Sequence, residues 1–210
     1  MYYVLALWFE KKVIKNFKGD SFITIYADDF VCCFQYKSEA ELFMNKLLPE
    51  RLKKFNLEVA KDKTRLIPFG RFAKEDSKNG RVETFDFLGF THYCSQSSNG
   101  KFRVKRKTSR KKFNAKLKDF KRDIKFNRNL KVREMINMIN IKLRGYYQYY
   151  GVTDNSRSLY QFRRCINQLL WKWLNRRSQR RSYTSKEFAQ LMKDIPLLKP
   201  KIYVNIFDRM

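Results

Sequence analysis

The pattern of hydrophobic and polar positions divides the chain into a mixed first part and a helical second part. In the first part, two runs rich in aromatic and β-branched residues, Phe22–Tyr26 and Phe30–Phe34, flank one short polar break. Two such runs around a short break predict a β-hairpin. From Ser109 onwards apolar residues recur at helical spacing, first at Phe113, Leu117, Phe120 and Ile124, which predicts a helix.

The other elements follow from the same periodicities and from capping and turn residues. We expect a helix over Tyr2–Phe17, and a second helix that begins with a capping box of Ser38 and Glu41 and is kinked or divided by Pro49. Short strands are predicted at 57–59 and 64–69, a loop at 70–82, a single strand at 85–94 and a strand at 101–107. Two more helices are predicted through 132–143 and 159–173, and a last one after the capping box of Thr184 and Glu187. The fold class is therefore α+β, with antiparallel hairpins and helices followed by an all-α bundle.

Charge and composition indicate a folded protein with a strongly anionic partner. The chain has 210 residues, a hydrophobic content of 43% and a net charge of +27, so it is too apolar for a disordered polycation. The charge is spread along most of the chain and interleaved with aromatic residues, which favours nucleic acid over a membrane surface. No apolar run approaches the roughly 20 residues of a membrane helix, so we predict no membrane partner.

Cysteine and histidine usage argues against a zinc site. Cys32, Cys33, Cys94 and Cys165 have no paired metal-ligand spacing, and His92 is the only histidine. A reduced cytoplasmic setting, as in a bacterium, is the expectation. An organelle stays open as an alternative.

The hairpin break contains two adjacent acids, Asp28 and Asp29. Aspartate is common in turns because its side chain bonds nearby backbone, so the pair has a purely structural interpretation. In a chain with 47 Lys and Arg against 20 Asp and Glu, however, the pair is also an oxygen-ligand site within phosphate-seeking charge. This combination suggests metal-assisted phosphoryl transfer on nucleic acid.

A second candidate site is a basic surface where the strand at 101–107 leads into the helix after Ser109. Its cations are Lys105, Arg106, Lys107, Arg110, Lys111 and Lys112. A basic helix is often only a solvated face, but the segment from 101 to 133 has only Asp119 and Asp123 to balance its many cations. Self-repulsion of that size is usually compensated by a partner, so we predict that this surface binds RNA through its phosphates.

Four motifs in this order resemble those of group II intron-encoded proteins, the intron reverse transcriptases with maturase activity. Tyr26-Ala27-Asp28-Asp29 resembles the reverse transcriptase active-site signature. The segments 57–59 with 63–65, and 85–90, resemble strands of the polymerase palm, and 143–151 (LRGYYQYYG) resembles the thumb, or maturase domain X. The resemblance implies a partial palm over 1–107 and a thumb or maturase-specific domain over 108–210.

The resemblance also implies roles for individual residues. Asp28 would be a catalytic ligand of Mg²⁺ and Asp29 its supporting companion, and Tyr26, Lys63, Arg65, Leu88 and Gly89 would contact nucleic acid. The implied partners are intron RNA and an RNA/DNA template-primer. The implied activities are RNA-directed DNA synthesis and assistance to splicing.

One departure from the family limits this expectation. Family members place a first catalytic aspartate and the fingers upstream, and neither Glu10 nor Asp20 matches that aspartate. We therefore expect a C-terminal fragment that does not polymerise alone, for which a separate polypeptide would supply the fingers and the rest of the palm. The alternatives are a non-catalytic RNA-binding splicing maturase module and, less favoured, an inert product of a pseudogene.

Overall fold

The computed structural model describes residues 2–60, 62–75, 80–177 and 182–207 and contains both helices and strands, which confirms the α+β class. The chain divides into two compact units, Met1–Phe87 with Gln96–Arg103 and Leu88–Ser95 with Val104–Met210. Strands β1 to β5 comprise Ser21–Tyr26, Asp29–Phe34, Phe85–Phe87, Phe90–Gln96 and Phe102–Thr108. Helices α1 to α7 comprise Ile14–Asn16, Lys37–Leu42, Leu48–Lys53, Arg110–Phe126, Val132–Tyr150, Ser156–Leu174 and Ser185–Asp194, and Tyr2–Ala6, Phe9–Val13 and Phe43–Leu47 are π-helical. Within the described ranges, no helix is long and apolar enough to cross a membrane.

The predicted hairpin is the centre of the first unit. Strands β1 and β2 pair antiparallel from Ser21 opposite Phe34 to Tyr26 opposite Asp29, so the turn between them is Ala27-Asp28. A buried cluster lies against the hairpin and contains Leu5, Phe9, Val13, Phe43, Leu48 and Leu52. Hairpin side chains that pack on this cluster are Ile23, Ile25, Phe30, Cys32 and Phe34. Burial of one hairpin face therefore fixes the register and the position of the turn.

Two sequence predictions in the first unit are wrong. Helix α2 begins at Lys37 with Tyr36 as N-cap and no side-chain cap, so Ser38 lies inside the helix and forms no capping box. No strand forms at 57–59 or at 64–69. A short apolar run becomes a strand only when a neighbour completes its backbone hydrogen bonds. Here the amides of Lys63 and Thr64 instead donate to the carbonyl of Ala60, both at 3.0 Å, which turns the chain back on itself.

The strand predicted at 85–94 is interrupted by a turn. Leu88 and Gly89 have φ values of 50° and 79°, so β3 ends at Phe87 and β4 begins at Phe90, in a sheet of order β3-β4-β5. Glycine adopts this conformation without cost, whereas leucine is strained in it. The strain is offset by tertiary contacts of Leu88, which hydrophobic periodicity cannot reveal.

The second unit is a helical bundle whose core confirms the predicted apolar stripes. Its fully or nearly buried residues include Phe120, Ile124, Met135, Ile136, Ile139, Leu143, Leu159, Phe162, Ile166, Leu170 and Leu174. Tyr146 of α5 stacks on Phe162 of α6 with ring centroids 4.0 Å apart. Helix α4 begins after Ser109, whose hydroxyl accepts a hydrogen bond from the Lys112 amide at 3.4 Å. The predicted capping box of α7 is present, and hydrogen bonds from Thr184 lower the pKa of the Glu187 carboxyl.

The segment after α7 lies along α5 and α6 and is bonded to both. Asn140 accepts a hydrogen bond from the Leu198 amide at 2.8 Å, and Arg163 donates to the Leu197 carbonyl at 3.1 Å. The Gly151 carbonyl accepts from the Tyr203 amide at 2.7 Å. A Cβ atom at Gly151 would lie 2.3 Å from the Tyr147 carbonyl oxygen and 2.6 Å from that of Lys201. Only glycine therefore permits this close crossing of two backbone segments.

We expect opposite effects from adding a methyl group at the two glycines of this region. Gly151→Ala should destabilise the protein by about 1 to 3 kcal/mol, because the clash involves backbone atoms that cannot move aside cheaply. Gly145→Ala should stabilise it by roughly 1 kcal/mol, because Gly145 lies within α5 with nothing within 4 Å of its Cβ position. Urea unfolding of the two variants measures both effects. Equal stability of Gly151→Ala and the wild type would show that the segment does not cross α5 as closely as described.

Candidate nucleic-acid interface

The acidic hairpin turn is exposed and rigidly presented. Asp28 is the second residue of the turn, and Asp29 is the first residue of β2, opposite Tyr26. Ala27 has φ of 52°, a left-handed conformation that a residue with a Cβ rarely adopts. Tyr26, Asp28 and Asp29 are all exposed. The turn therefore presents two carboxylates to solvent on a strained, well-anchored backbone.

This pair of carboxylates falls short of a magnesium site. Mg²⁺ requires close to octahedral oxygen ligation and loses its water reluctantly, so two neighbouring carboxylates hold it weakly. In the part of the chain that the structure describes, no group of three or more His, Cys, Asp and Glu residues is placed to bind a metal ion. Lys63 and Arg65 are exposed in a segment without regular structure. The chemistry implied for the hairpin is therefore incomplete in these residues.

The Leu88-Gly89 turn accepts hydrogen bonds from two other segments of the second unit. The Leu88 carbonyl accepts a hydrogen bond from the Tyr149 hydroxyl at 3.0 Å, and the Gly89 carbonyl accepts from the Ser109 amide at 2.9 Å. Phe90 stacks on Tyr149 with ring centroids 6.2 Å apart and planes at 12°. A Cβ atom at Gly89 would lie 3.2 Å from the Tyr150 hydroxyl. The turn therefore docks on the end of α5 and helps to fix the residue that begins α4.

The tyrosines of the 143–151 motif mostly pack inside the bundle. Tyr146, Tyr147 and Tyr150 are buried, and only Tyr149 is more than half exposed. Burial raises the pKa of the Tyr146 and Tyr147 hydroxyls above the usual value for tyrosine. The Tyr147 hydroxyl donates to the Leu198 carbonyl at 3.3 Å. The motif therefore stabilises the bundle that carries the basic helix.

A buried asparagine locks the junction between β5 and α4. Asn155 is 0% exposed, and its amide nitrogen donates to the Thr108 hydroxyl and the Tyr150 carbonyl, each at 2.8 Å. Its side-chain oxygen accepts from the Thr108 amide at 2.8 Å. Sequence reasoning missed Asn155 because an asparagine beside Asp154 reads as an ordinary turn residue. All three side-chain hydrogen bonds hold the direction in which α4 leaves the sheet.

The basic residues predicted from the sequence lie on both sides of this junction. Lys105 and Arg106 of β5 are half-buried, and Lys107 is exposed with its amine 5.3 Å from the Tyr93 ring. The Arg106 Nε is buried with no hydrogen-bond partner among the described residues. Arg110, Lys111 and Lys112 are exposed in the first turn of α4, which contains no acidic residue. Positive charge is thus concentrated where the helix dipole is itself positive.

The basic surface continues along the whole of α4, beyond the residues that we predicted. Lys111, Lys118, Arg122 and Lys125 follow one another at intervals of seven, four and three residues, which places them on one helix face. All four are exposed, and the last three, with Lys121, line a shallow depression of about 270 Å³. Asp119 and Asp123 lie on the flank, where they form ion pairs with Arg122 at 3.4 and 3.6 Å. Helical periodicity applied to the cations instead of the apolar residues would have revealed this face.

Comparison with known families finds a match for the helical part of the chain. Residues 110–191 match the model of the family described as group II intron, maturase-specific domain. The matched segment begins at the first residue of α4 and ends within α7, and it is less than half of the 210 residues. A comparison with curated proteins finds no match. The family match confirms the resemblance to group II intron proteins for the segment that contains the 143–151 motif.

Proposed function

Since residues 110–191 belong to the maturase-specific domain family of group II introns, we propose that this chain binds intron RNA and assists its splicing. The family supports a function in splicing. The basic face of α4 supports contact with RNA phosphates as the way in which the RNA is bound. The basic face of α4 comprises Arg110, Lys111, Lys118, Lys121, Arg122 and Lys125.

The observation that carries the proposal is the cluster of cations at the start of α4. A helix N-terminus carries a partial positive charge, so Arg110, Lys111 and Lys112 are unfavourable there in the free protein. No acidic residue in the first turn compensates them. An anion bound at the same place is favoured both by the cations and by the helix dipole. The charges that oppose folding are therefore those that favour a polyanion.

The length of the basic face suits a nucleic-acid backbone. Lys125 lies 14 positions after Lys111, so the two are about 21 Å apart along the helix axis at the helical rise of 1.5 Å per residue. An A-form RNA helix hides its base edges in a deep major groove, so proteins grip it through phosphates and 2′-hydroxyls. A straight row of exposed cations provides this kind of contact without reading sequence.

The hairpin of β1 and β2 supports a second, finer proposal. The Tyr26–Asp29 motif suggests the palm of a reverse transcriptase, with Asp28 and Asp29 as ligands of Mg²⁺ and an RNA/DNA template-primer as substrate. Such a palm needs at least one further carboxylate, which no described residue supplies. The alternative is a non-catalytic splicing maturase, which would need only the RNA-binding face of α4.

Salt dependence of RNA binding tests the proposal. Each neutralised phosphate releases counterions, so with about 6 to 10 contacts the affinity for structured RNA should fall on the order of 10³- to 10⁵-fold between about 50 and 200 mM salt. A filter-binding titration of the 210-residue chain against a transcribed group II intron RNA measures this slope. An affinity that is unchanged across the salt range would refute binding through phosphates.

A further inference from the structure

The end of α4 carries the most exposed large hydrophobic side chain in the described part of the chain. Phe126 is 86% exposed, although the core faces of the same helix bury Phe120 and Ile124 almost completely. Phe126 follows Lys125, the last cation of the basic face of α4. A single exposed apolar residue is ordinary, but an aromatic ring next to a row of phosphate-seeking cations offers a stacking surface for a base.

Two cations lie near the Trp173 indole, and one of them is Lys125, the residue before Phe126. The Lys125 amine lies 5.7 Å from the centroid of the Trp173 indole, and the Arg176 guanidinium lies 5.8 Å from it. Lys125 comes from the last turn of α4, and Arg176 follows the end of α6. The indole therefore lies near two cations, one from the last turn of α4 and one from just after α6.

The next residue, Arg177, has hydrogen-bond donors in need of an acceptor. Its Nε and Nη2 atoms are buried and have no partner among the described residues. Burial also lowers the pKa of this guanidinium from its usual value. An unpaired buried donor is costly, and more so when it belongs to a charged group. A phosphate oxygen accepts such donors in the fork geometry that arginine provides.

Favourable interaction with the helix dipole explains only part of this arrangement. Cations such as Lys125 and Arg176 at the C-terminal ends of α4 and α6 stabilise both helices, with or without a ligand. That effect accounts neither for the exposure of Phe126 nor for the unpaired donors of Arg177. A ligand with both an aromatic face and a phosphate accounts for both.

We propose that this end of the bundle binds one unpaired nucleotide of RNA, with its base stacked on Phe126 and its phosphate bound by Lys125, Arg176 and Arg177. The inference rests on the proposed function, and it adds a single-stranded contact to the duplex contact of the α4 face. An intron RNA that contacts both the basic face of α4 and the nucleotide site would place an RNA duplex along α4 and an adjoining unpaired nucleotide at Phe126.

Binding of a fluorescein-labelled decamer of uridine tests the inference, because this probe has bases to stack and no duplex. Phe126→Leu, which keeps an apolar side chain but removes the aromatic face, should weaken binding on the order of tenfold. Phe126→Tyr should bind like the wild type. Arg177→Gln should weaken binding and reduce the slope of log affinity against log salt by about one.

Binding is measured by fluorescence anisotropy, and a blunt RNA duplex in the same assay separates the nucleotide site from the proposed function. Phe126→Leu should bind the duplex as the wild type does. If Phe126→Leu binds the uridine decamer unchanged, or the wild type does not bind it, while the duplex is still bound, the nucleotide site is wrong and the proposed function stands. If the wild type binds neither probe, the proposed function itself fails.

Discussion

The triple variant Arg110→Glu, Lys111→Glu, Lys118→Glu should bind structured RNA on the order of 10²- to 10³-fold more weakly than the wild type. It should nevertheless be at least as stable to heat in the absence of RNA. The loss of affinity follows from three phosphate contacts that become repulsions, and it should reduce the salt slope by about three. The gain in stability follows from two carboxylates in the first turn of α4, each favourable to the helix dipole by roughly 0.3 to 1 kcal/mol.

A charge-matched control makes this result specific. Lys11, Lys37 and Lys46 are exposed in the first unit, and their reversal to Glu changes the net charge by the same amount. This control should keep most of the affinity and most of the salt slope. If both triple variants lose the same affinity, the net charge of the chain and not the face of α4 determines RNA binding.

Asn155→Ala should destabilise the protein by about 3 kcal/mol and weaken RNA binding through disorder at the start of α4. The substitution removes three hydrogen bonds: it leaves the buried Thr108 amide without an acceptor, and it takes one partner each from the Thr108 hydroxyl and from the Tyr150 carbonyl, which still accepts from the Val152 amide at 2.8 Å. Each buried group left unsatisfied costs roughly 1 to 3 kcal/mol, and some relaxation reduces the sum. Thermal unfolding and filter binding on the same preparations measure the two effects.

An exposed asparagine on the same basic helix provides the comparison. Asn114→Ala removes an amide from the surface of α4, and its effect on stability should lie within about 0.5 kcal/mol. Added salt that stabilises the fold should restore the stability of Asn155→Ala more than its affinity for RNA, because salt weakens phosphate contacts. An Asn155→Ala protein as stable as Asn114→Ala would mean that the junction is held by other contacts.

The sequence predicted best the elements whose hydrophobic period is long and regular. Helices α4, α5 and α6 have apolar stripes of several turns, and the structure buries those stripes. The hairpin of β1 and β2 was also predictable, because two alternating runs flank a short acidic break. In each of these elements the local pattern and the tertiary packing require the same side chains to face inward.

Prediction failed where a local feature depends on a distant partner. Leu88 adopts a strained turn next to Gly89, and the two carbonyls accept hydrogen bonds from distant groups, the Tyr149 hydroxyl and the Ser109 amide. Glu39, to which the sequence pattern gave no role, accepts hydrogen bonds from the Lys18 and Gly19 amides, which lie 21 and 20 positions away. Asn155 likewise acts on residues 47 positions away. Single-sequence patterns carry no information on such pairs.

Protection of lysines from acetylation tests the central claim most directly, because it maps the RNA surface without any substitution. The protein is treated with an acetylating reagent with and without bound intron RNA, and the modified lysines are quantified by mass spectrometry. The account predicts that RNA protects Lys111, Lys118, Lys121 and Lys125, while Lys11, Lys37 and Lys46 react equally in both samples. Protection of the second group, with no protection along α4, would contradict the account.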